Sequence, residues 1–140
     1  YGLAGLRLGW MYAPDDIADV VSSVGITFPI ATTALAAGIA ALEDEAHTNW
    51  VFQMNLEVRG AFSEKLQELG LEVVPSQTNF VLVGFPLAGR SAVDAHCYLE
   101  THGVIARRLA SSAYNNYIRF TIGVREEMDK AIELLKKFLS

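Results

Sequence analysis

Cysteine is nearly missing from this sequence, with Cys97 as the single residue of its kind. An internal disulfide is therefore excluded, and the composition fits a reducing compartment, so the expected location is cytoplasmic. Histidine is scarce too. His47, His96 and His102 are scattered, and His96 beside Cys97 does not make a ligand spacing, so no metal is expected. Cys97 itself reads as a small apolar helix residue. Charge is also low, at 19% of residues against 51% hydrophobic, which marks a globular chain and not a disordered one. The net charge of -5 speaks against nucleic acid or an anionic membrane as partner. No apolar run is long enough to span a bilayer; the longest, residues 30–42, holds two threonines and a glycine. An initiator methionine and a signal-peptide pattern are lacking as well, and the expectation is a fragment. At 140 residues the chain amounts to one domain or slightly more, without internal repeats.

What is present concentrates in the first ten residues. Gly2 and Gly5 stand three apart among small and aliphatic residues, followed by one arginine, Arg7. Glycines at that density let the backbone turn sharply and approach another group closely. Residues 7–13 form an apolar run that reads as a buried strand. An arginine at the mouth of a buried strand needs an anion, either a ligand phosphate or carboxylate or a structural salt-bridge partner.

Further along, Pro14, Asp15 and Asp16 read as a helix start, with proline at the first helical position and two acids complementing the dipole. That helix is expected to reach about Ser23 and to be broken over residues 25–29. Thr32 or Thr33 is expected to cap a second helix over residues 34–42. This helix is small and apolar nearly all round, so it should be buried in an interface. Trp50, Met54, Val58, Phe62, Leu66 and Leu69 then make one stripe on a long helix, stopped at Gly70 by a left-handed cap. From there the pattern changes. Short strands are expected over 71–74, 79–83, 104–107 and 117–122, with turns at 75–77, at Pro86 and Gly89, and over 111–116. Ser91 with Asp94 resembles a capping box opening a helix to about His102, ended by Gly103. In the fourth strand Ile118, Phe120 and Ile122 share one face, and Tyr117, Arg119 and Thr121 the other. A last helix over 125–139 carries Met128, Ile132, Leu135 and Leu139 as its stripe. The fold class is α/β, with an α+β small domain: a small sheet with helices packed on it.

Arg107 closes an apolar strand, and Arg119 sits in the middle of one. An arginine inside a strand is unusual without a partner, and no acid lies close to either in sequence. A distant acid or an anionic ligand remains open for both. Asn79, at a strand start, is either a site residue or a side chain closing a turn.

The segment Tyr1-Gly2-Leu3-Ala4-Gly5-Leu6-Arg7-Leu8-Gly9-Trp10 resembles the stretch following the Schiff-base lysine of fold-type-I pyridoxal-phosphate aminotransferases, most closely the histidinol-phosphate aminotransferase family. Asn116-Tyr117-Ile118-Arg119-Phe120-Thr121-Ile122-Gly123 is similar to that family's late strand. Gly103-Val104-Ile105-Ala106-Arg107 and Thr78-Asn79-Phe80 match two further pieces. The resemblance spans the whole chain. It implies that Arg7 binds the phosphate of pyridoxal phosphate and that Arg107 and Arg119 hold the anionic end of the substrate. It also implies that Asn79 lies near the active site and that the lysine falls two residues before Tyr1. Residues 1–45 would then be the C-terminal remnant of a large cofactor-binding domain, and 46–140 a small C-terminal domain. The sequence departs from the family over residues 25–31, where an arginine and polar positions are replaced by Gly25-Ile26-Thr27-Phe28-Pro29-Ile30-Ala31. It departs again at Val124, where the family caps the last helix with threonine or serine, and at Arg108, where proline is common.

The implied activity is transfer of an amino group between histidinol phosphate, or a similar phosphate ester, and 2-oxoglutarate, by a homodimer. The isolated chain would be inactive for want of the lysine. Another aminotransferase or a phosphate-recognising decarboxylase of the same fold is the alternative within the enzymes. A non-catalytic small domain that binds an anion or a partner chain is the alternative outside them.

Overall fold

The structure is a computed structural model that describes residues 1–26, 29–85, 89–109 and 112–140, the Ser112 side chain excepted. Of the expected breaks and loops, Thr27, Phe28, Pro86 and Ser111 lie outside the described residues. The chain clusters into two compact units, Tyr1–Val51 and Phe52–Ser140.

The first unit opens with a 3-10 turn, Ala4–Leu6, followed by helices α1 (Asp15–Val24) and α2 (Thr32–Glu43) and the start of α3 (Glu45–Glu68). The strand expected over residues 7–13 is not formed; Arg7 is in a turn and residues 8–14 are irregular. A strand exists only through a hydrogen-bonded neighbour, and among the described residues no strand lies in this unit. Trp10, Met11 and Tyr12 stay in solvent, at 76%, 54% and 96% exposure. What holds the segment is Leu8 against Gly38 of α2: a Cβ added at Gly38 would stand 2.2 Å from Leu8 Cδ2. The caps also differ from expectation. Pro14 is the N-cap of α1 and not its first residue, and Ala31 caps α2, with Thr32 inside the helix and no side-chain cap bond. Of α2 only Ala34 is buried.

The second unit contains the rest of α3, β1 (Glu72–Val74), β2 (Phe80–Gly84), α4 (Ala92–Thr101), β3 (Arg107–Arg108), a 3-10 turn at Ser112–Tyr114, β4 (Tyr117–Thr121) and α5 (Arg125–Leu139). The strands make one antiparallel sheet in the order β1-β2-β4-β3. Period-2 alternation divides it. Val81, Val83, Ile118 and Phe120 are buried in one core with Val58, Phe62 and Leu66 of α3, Ala95 and Leu99 of α4, and Ile132 and Leu135 of α5. The other face carries Phe80, Leu82 and Arg119, all half-buried. β3 is shorter than expected: only two residues pair, Arg107 with Arg119 and Arg108 with Ile118, and Ile105 is left 86% exposed.

Two glycines end helices in the same way. Gly70 (φ 77°) follows α3 and Gly103 (φ 79°) follows α4. Leu71 N–H donates to Leu66 O at 3.1 Å and Val104 N–H to Leu99 O at 2.9 Å, while Gly70 and Gly103 donate to Gln67 O and Glu100 O. Each is a Schellman motif whose bonded leucine is a core residue. The capping box of α4 is present, Asp94 N–H donating to Ser91 Oγ at 3.2 Å. At α5, where Val124 offers no side-chain acceptor, Glu127 reaches back instead and accepts from Val124 N–H at 3.2 Å. Gly123 leaves the space for that carboxylate. Lys65 to Asp129 at 2.6 Å and Arg125 to Glu57 link α3 with α5. The Lys65 hydrogen bond holds the Asp129 carboxyl below its ordinary range. Cys97 lies on α4 as expected but is exposed.

Candidate functional site

Each unit carries one set of candidate residues. In the first, Arg7 caps the 3-10 turn in the left-handed region, at φ 53° and ψ 33°. For a side chain other than glycine this backbone costs on the order of 1 kcal/mol. Ala4 O offsets it by accepting twice, from Arg7 N–H at 3.3 Å and from Arg7 Nη1 at 3.0 Å. The guanidinium is exposed, without an acid partner among the described residues. It stands in an open turn, not at the mouth of a buried strand. Beside it, Leu3, Leu8, Trp10, Ile30, Leu35 and Ile39 contribute to an apolar cleft of about 670 Å³.

In the second unit the site is built on the sheet face that no helix of the core covers. Register sets Val74, Leu82, Arg119 and Arg107 in one row across the four strands. Two arginines are thus directly opposite each other on neighbouring strands, an arrangement of like charges that destabilises a sheet unless something neutralises it. No carboxylate does so among the described residues. Arg119 lies with its Cζ 5.0 Å from the centroid of the Phe80 ring, and its Nε is buried with no hydrogen-bond partner among the described residues. A buried N–H left unpaired costs about 1–3 kcal/mol.

The neighbouring row is Glu72, Gly84 and Tyr117. Tyr117 O–H donates to Glu72 Oε2 at 2.9 Å, passing over Gly84, where a Cβ would meet both side chains at 2.9 Å. That hydrogen bond, followed by desolvation and the Glu72 charge, raises the Tyr117 pKa above its usual 10.0. Asn116 secures the start of β4: its Nδ2 donates to Phe85 O, and its own carbonyl accepts from Phe85 N–H.

Asn79 is exposed, and its side chain has no hydrogen-bond partner among the described residues. The turn it was one candidate to close is closed by its neighbours. Ser76 Oγ donates to Phe80 O at 2.6 Å, and Thr78 N–H donates to Ser76 Oγ at 3.1 Å. Only the Asn79 carbonyl is engaged, by Ile122 N–H at 2.8 Å. The structure therefore brings Arg107 and Arg119 together and sets Asn79 next to Phe80 at the same end of β2. Sequence reasoning missed Arg59, whose Nη1 donates to Asn55 Oδ1 at 3.0 Å and to Thr78 O at 2.7 Å, pinning the Asn79 turn to α3. The i,i+4 spacing of Asn55 and Arg59 was the available signal.

Comparisons with known proteins agree over the whole chain. The family model "Aminotransferase class I and II" matches residues 1–135. A histidinol-phosphate aminotransferase of Paramagnetospirillum magneticum is 41% identical over 99% of this chain and 39% of its own length. One of Rhodospirillum centenum is 37% identical over 99% of the chain and 38% of its own length. Among solved structures, histidinol-phosphate aminotransferase from Sinorhizobium meliloti in complex with pyridoxal-5'-phosphate superposes with a TM-score of 0.87 at 28% identity, covering 99% of this chain and 38% of that one. L-threonine-O-3-phosphate decarboxylase from Porphyromonas gingivalis gives 0.77 at 26% identity, over 99% and 43%. The chain thus spans about two fifths of the length of the relatives it matches.

Proposed function

The chain belongs to the class I and II aminotransferase family, and from that premise we propose that it is the C-terminal part of a pyridoxal-phosphate enzyme that aminates or deaminates a phosphate-bearing substrate of the histidinol-phosphate type. The single observation that carries the substrate class is the register pair Arg107 and Arg119 on the open sheet face, neither of them in an ion pair with a carboxylate among the described residues. Two guanidiniums suit a dianion better than a single carboxylate. Proposed roles follow residue by residue. Arg119 and Arg107 neutralise the anionic end of the substrate. Asn79, its amide without a partner among the described residues, orients the bound molecule at the Phe80 end of the same face. Arg7 holds the cofactor phosphate, which its residues fit: one Nη is committed to Ala4 O, and the rest of an exposed guanidinium points from a tight, glycine-flanked turn. When bound, pyridoxal phosphate supplies the electron sink for exchange of the amino group, here with 2-oxoglutarate as acceptor.

Residues 1–45 are read as the end of the large domain and 46–140 as the small domain. A homodimer belongs to the same proposal; Leu35, Ile39 and Leu42 of α2, exposed within this unit, are what supports it. The lysines of this chain, Lys65, Lys130, Lys136 and Lys137, all lie on α3 and α5. None adjoins the candidate residues in sequence, so the chain alone is proposed to be inactive. A phosphate-recognising decarboxylase is the second reading, favoured by the likeness to the threonine-phosphate enzyme.

The test is turnover by the longer protein that contains this chain, supplied with pyridoxal phosphate, histidinol phosphate and 2-oxoglutarate. Formation of glutamate is expected. Release of carbon dioxide from a phosphorylated amino acid, without glutamate, would replace the proposal with the second reading.

A further inference from the structure

Arg119 has no ion pair among the described residues, and its guanidinium carbon lies over the ring of Phe80, 5.0 Å from the centroid. Phe80 stands opposite Thr121 and Arg119 opposite Leu82, so the ring lies diagonally across the β2–β4 pair from the arginine, on the same face. Its own backbone is fixed by the Ser76 and Thr78 hydroxyls, which both donate to Phe80 O. The ring therefore belongs to a rigid strand end, while the arginine is a long side chain whose orientation must be set by something else.

The Nε atom shows what the contact does. It is buried and, among the described residues, unpartnered, so the side of the guanidinium that carries Nε is closed to any ligand in this conformation. Only the edge formed by the two Nη atoms remains for an anion. We infer that Phe80 is a positioning residue: by cation–π contact it sets the plane of the Arg119 guanidinium and confines anion binding to its Nη edge. This rests on the reading of Arg119 as an anion-binding residue. Phe80 touches no substrate in this role; it acts through Arg119. A guanidinium so confined engages a tetrahedral oxyanion end-on. An aliphatic side chain at position 80 would let it rotate and spread its population over unproductive orientations.

The experiment is titration of the full 140-residue chain with inorganic phosphate, followed through the Arg119 and Arg107 side-chain NMR signals, in wild type, Phe80→Leu, Phe80→Tyr and Arg119→Lys. In wild type the Phe80 ring current displaces the Arg119 signals. Phosphate is expected to shift the Nη groups of both arginines while leaving Arg119 Nε nearly still. Phe80→Leu is expected to abolish the ring-current displacement and raise the phosphate Kd about 3-fold, the size of an exposed cation–π contact. Phe80→Tyr should keep both properties. Thermal midpoints measured alongside separate a positioning effect from a loss of fold. If Arg119→Lys removes the phosphate response and Phe80→Leu binds as wild type does, the positioning role is wrong and the anion site stands. If phosphate leaves the Arg119 and Arg107 signals of wild type unmoved, or Arg119→Lys responds as wild type does, the anion site itself is wrong and the inference falls with it. A phosphate-dependent shift of Arg119 Nε as large as that of its Nη groups would overturn the edge assignment alone.

Discussion

The two units differ most in what they do with their apolar residues. Residues 52–140 gather them into one core, where Leu66, Val83, Leu99, Ile118 and Leu135 have no solvent exposure. Residues 1–51 bury a single described residue, Ala34, and leave Trp10, Tyr12, Val24 and Ile26 more than half exposed. The helices of the first unit are nevertheless well formed. The hydrogen bonds of a helix are internal to it, whereas a core needs facing surfaces, and the first unit does not supply them by itself. Stability in this chain is therefore a property of its second unit, and that unit holds the paired arginines.

The sharpest way to break this contrast is a matched pair of truncations. Leu135→Ala empties a fully buried site of the second unit and should cost about 2–5 kcal/mol in denaturant unfolding. Leu35→Ala, on the exposed face of α2, should change stability by about 0.5 kcal/mol or less. Equal losses would mean that the first unit has a cooperative core of its own. A smaller effect is expected at the Schellman turn. Gly70 has φ 77° and open space around its Cα, so Gly70→Ala carries backbone strain alone, about 1–2 kcal/mol by the same measurement. The smallest effect concerns Tyr117. Its folded pKa is raised because the neutral phenol donates to Glu72. That contribution is present below the ordinary tyrosine value of 10.0 and is lost as pH rises through the folded pKa. Ultraviolet titration should show Tyr117 ionising later than in Glu72→Gln; an identical curve would show that the pair does not persist in solution.

The same contrast explains what could be read from the sequence. In the second unit each local signal agrees with the fold. Ser91 and Asp94 cap α4, Gly70 and Gly103 stop their helices, and the alternation Ile118, Arg119, Phe120 puts the arginine on the face away from the core. The stripe of α3 holds from Met54 onward, but Trp50, beyond the core, is 58% exposed. In the first unit the apolar run 7–13 promised a strand, yet a strand is decided by a neighbour that no local pattern specifies. The helix over 34–42 was legible as a helix for the opposite reason, since its hydrogen bonds are internal. At the candidate site, Arg107 and Arg119 were legible as cations lacking nearby acids, whereas Arg7 stood out as an arginine at the mouth of a strand that does not form. The register that pairs Arg107 with Arg119, the Phe80 ring beneath Arg119 and the Arg59 brace of the Asn79 turn were not. They depend on contacts between residues far apart in sequence, such as Arg59 with Thr78.

The paired arginines of the open face carry the proposed substrate class. The most direct measurement is kcat/KM of Arg107→Ala in the longer protein, for a phosphate-bearing amino substrate and for a plain amino acid of similar size. A lost charge-assisted contact of about 1.5–3 kcal/mol corresponds to roughly a 10- to 150-fold loss. That loss is expected for the phosphate substrate, with little change for the plain amino acid. Equal losses for both would contradict a phosphate site built by Arg107 and Arg119.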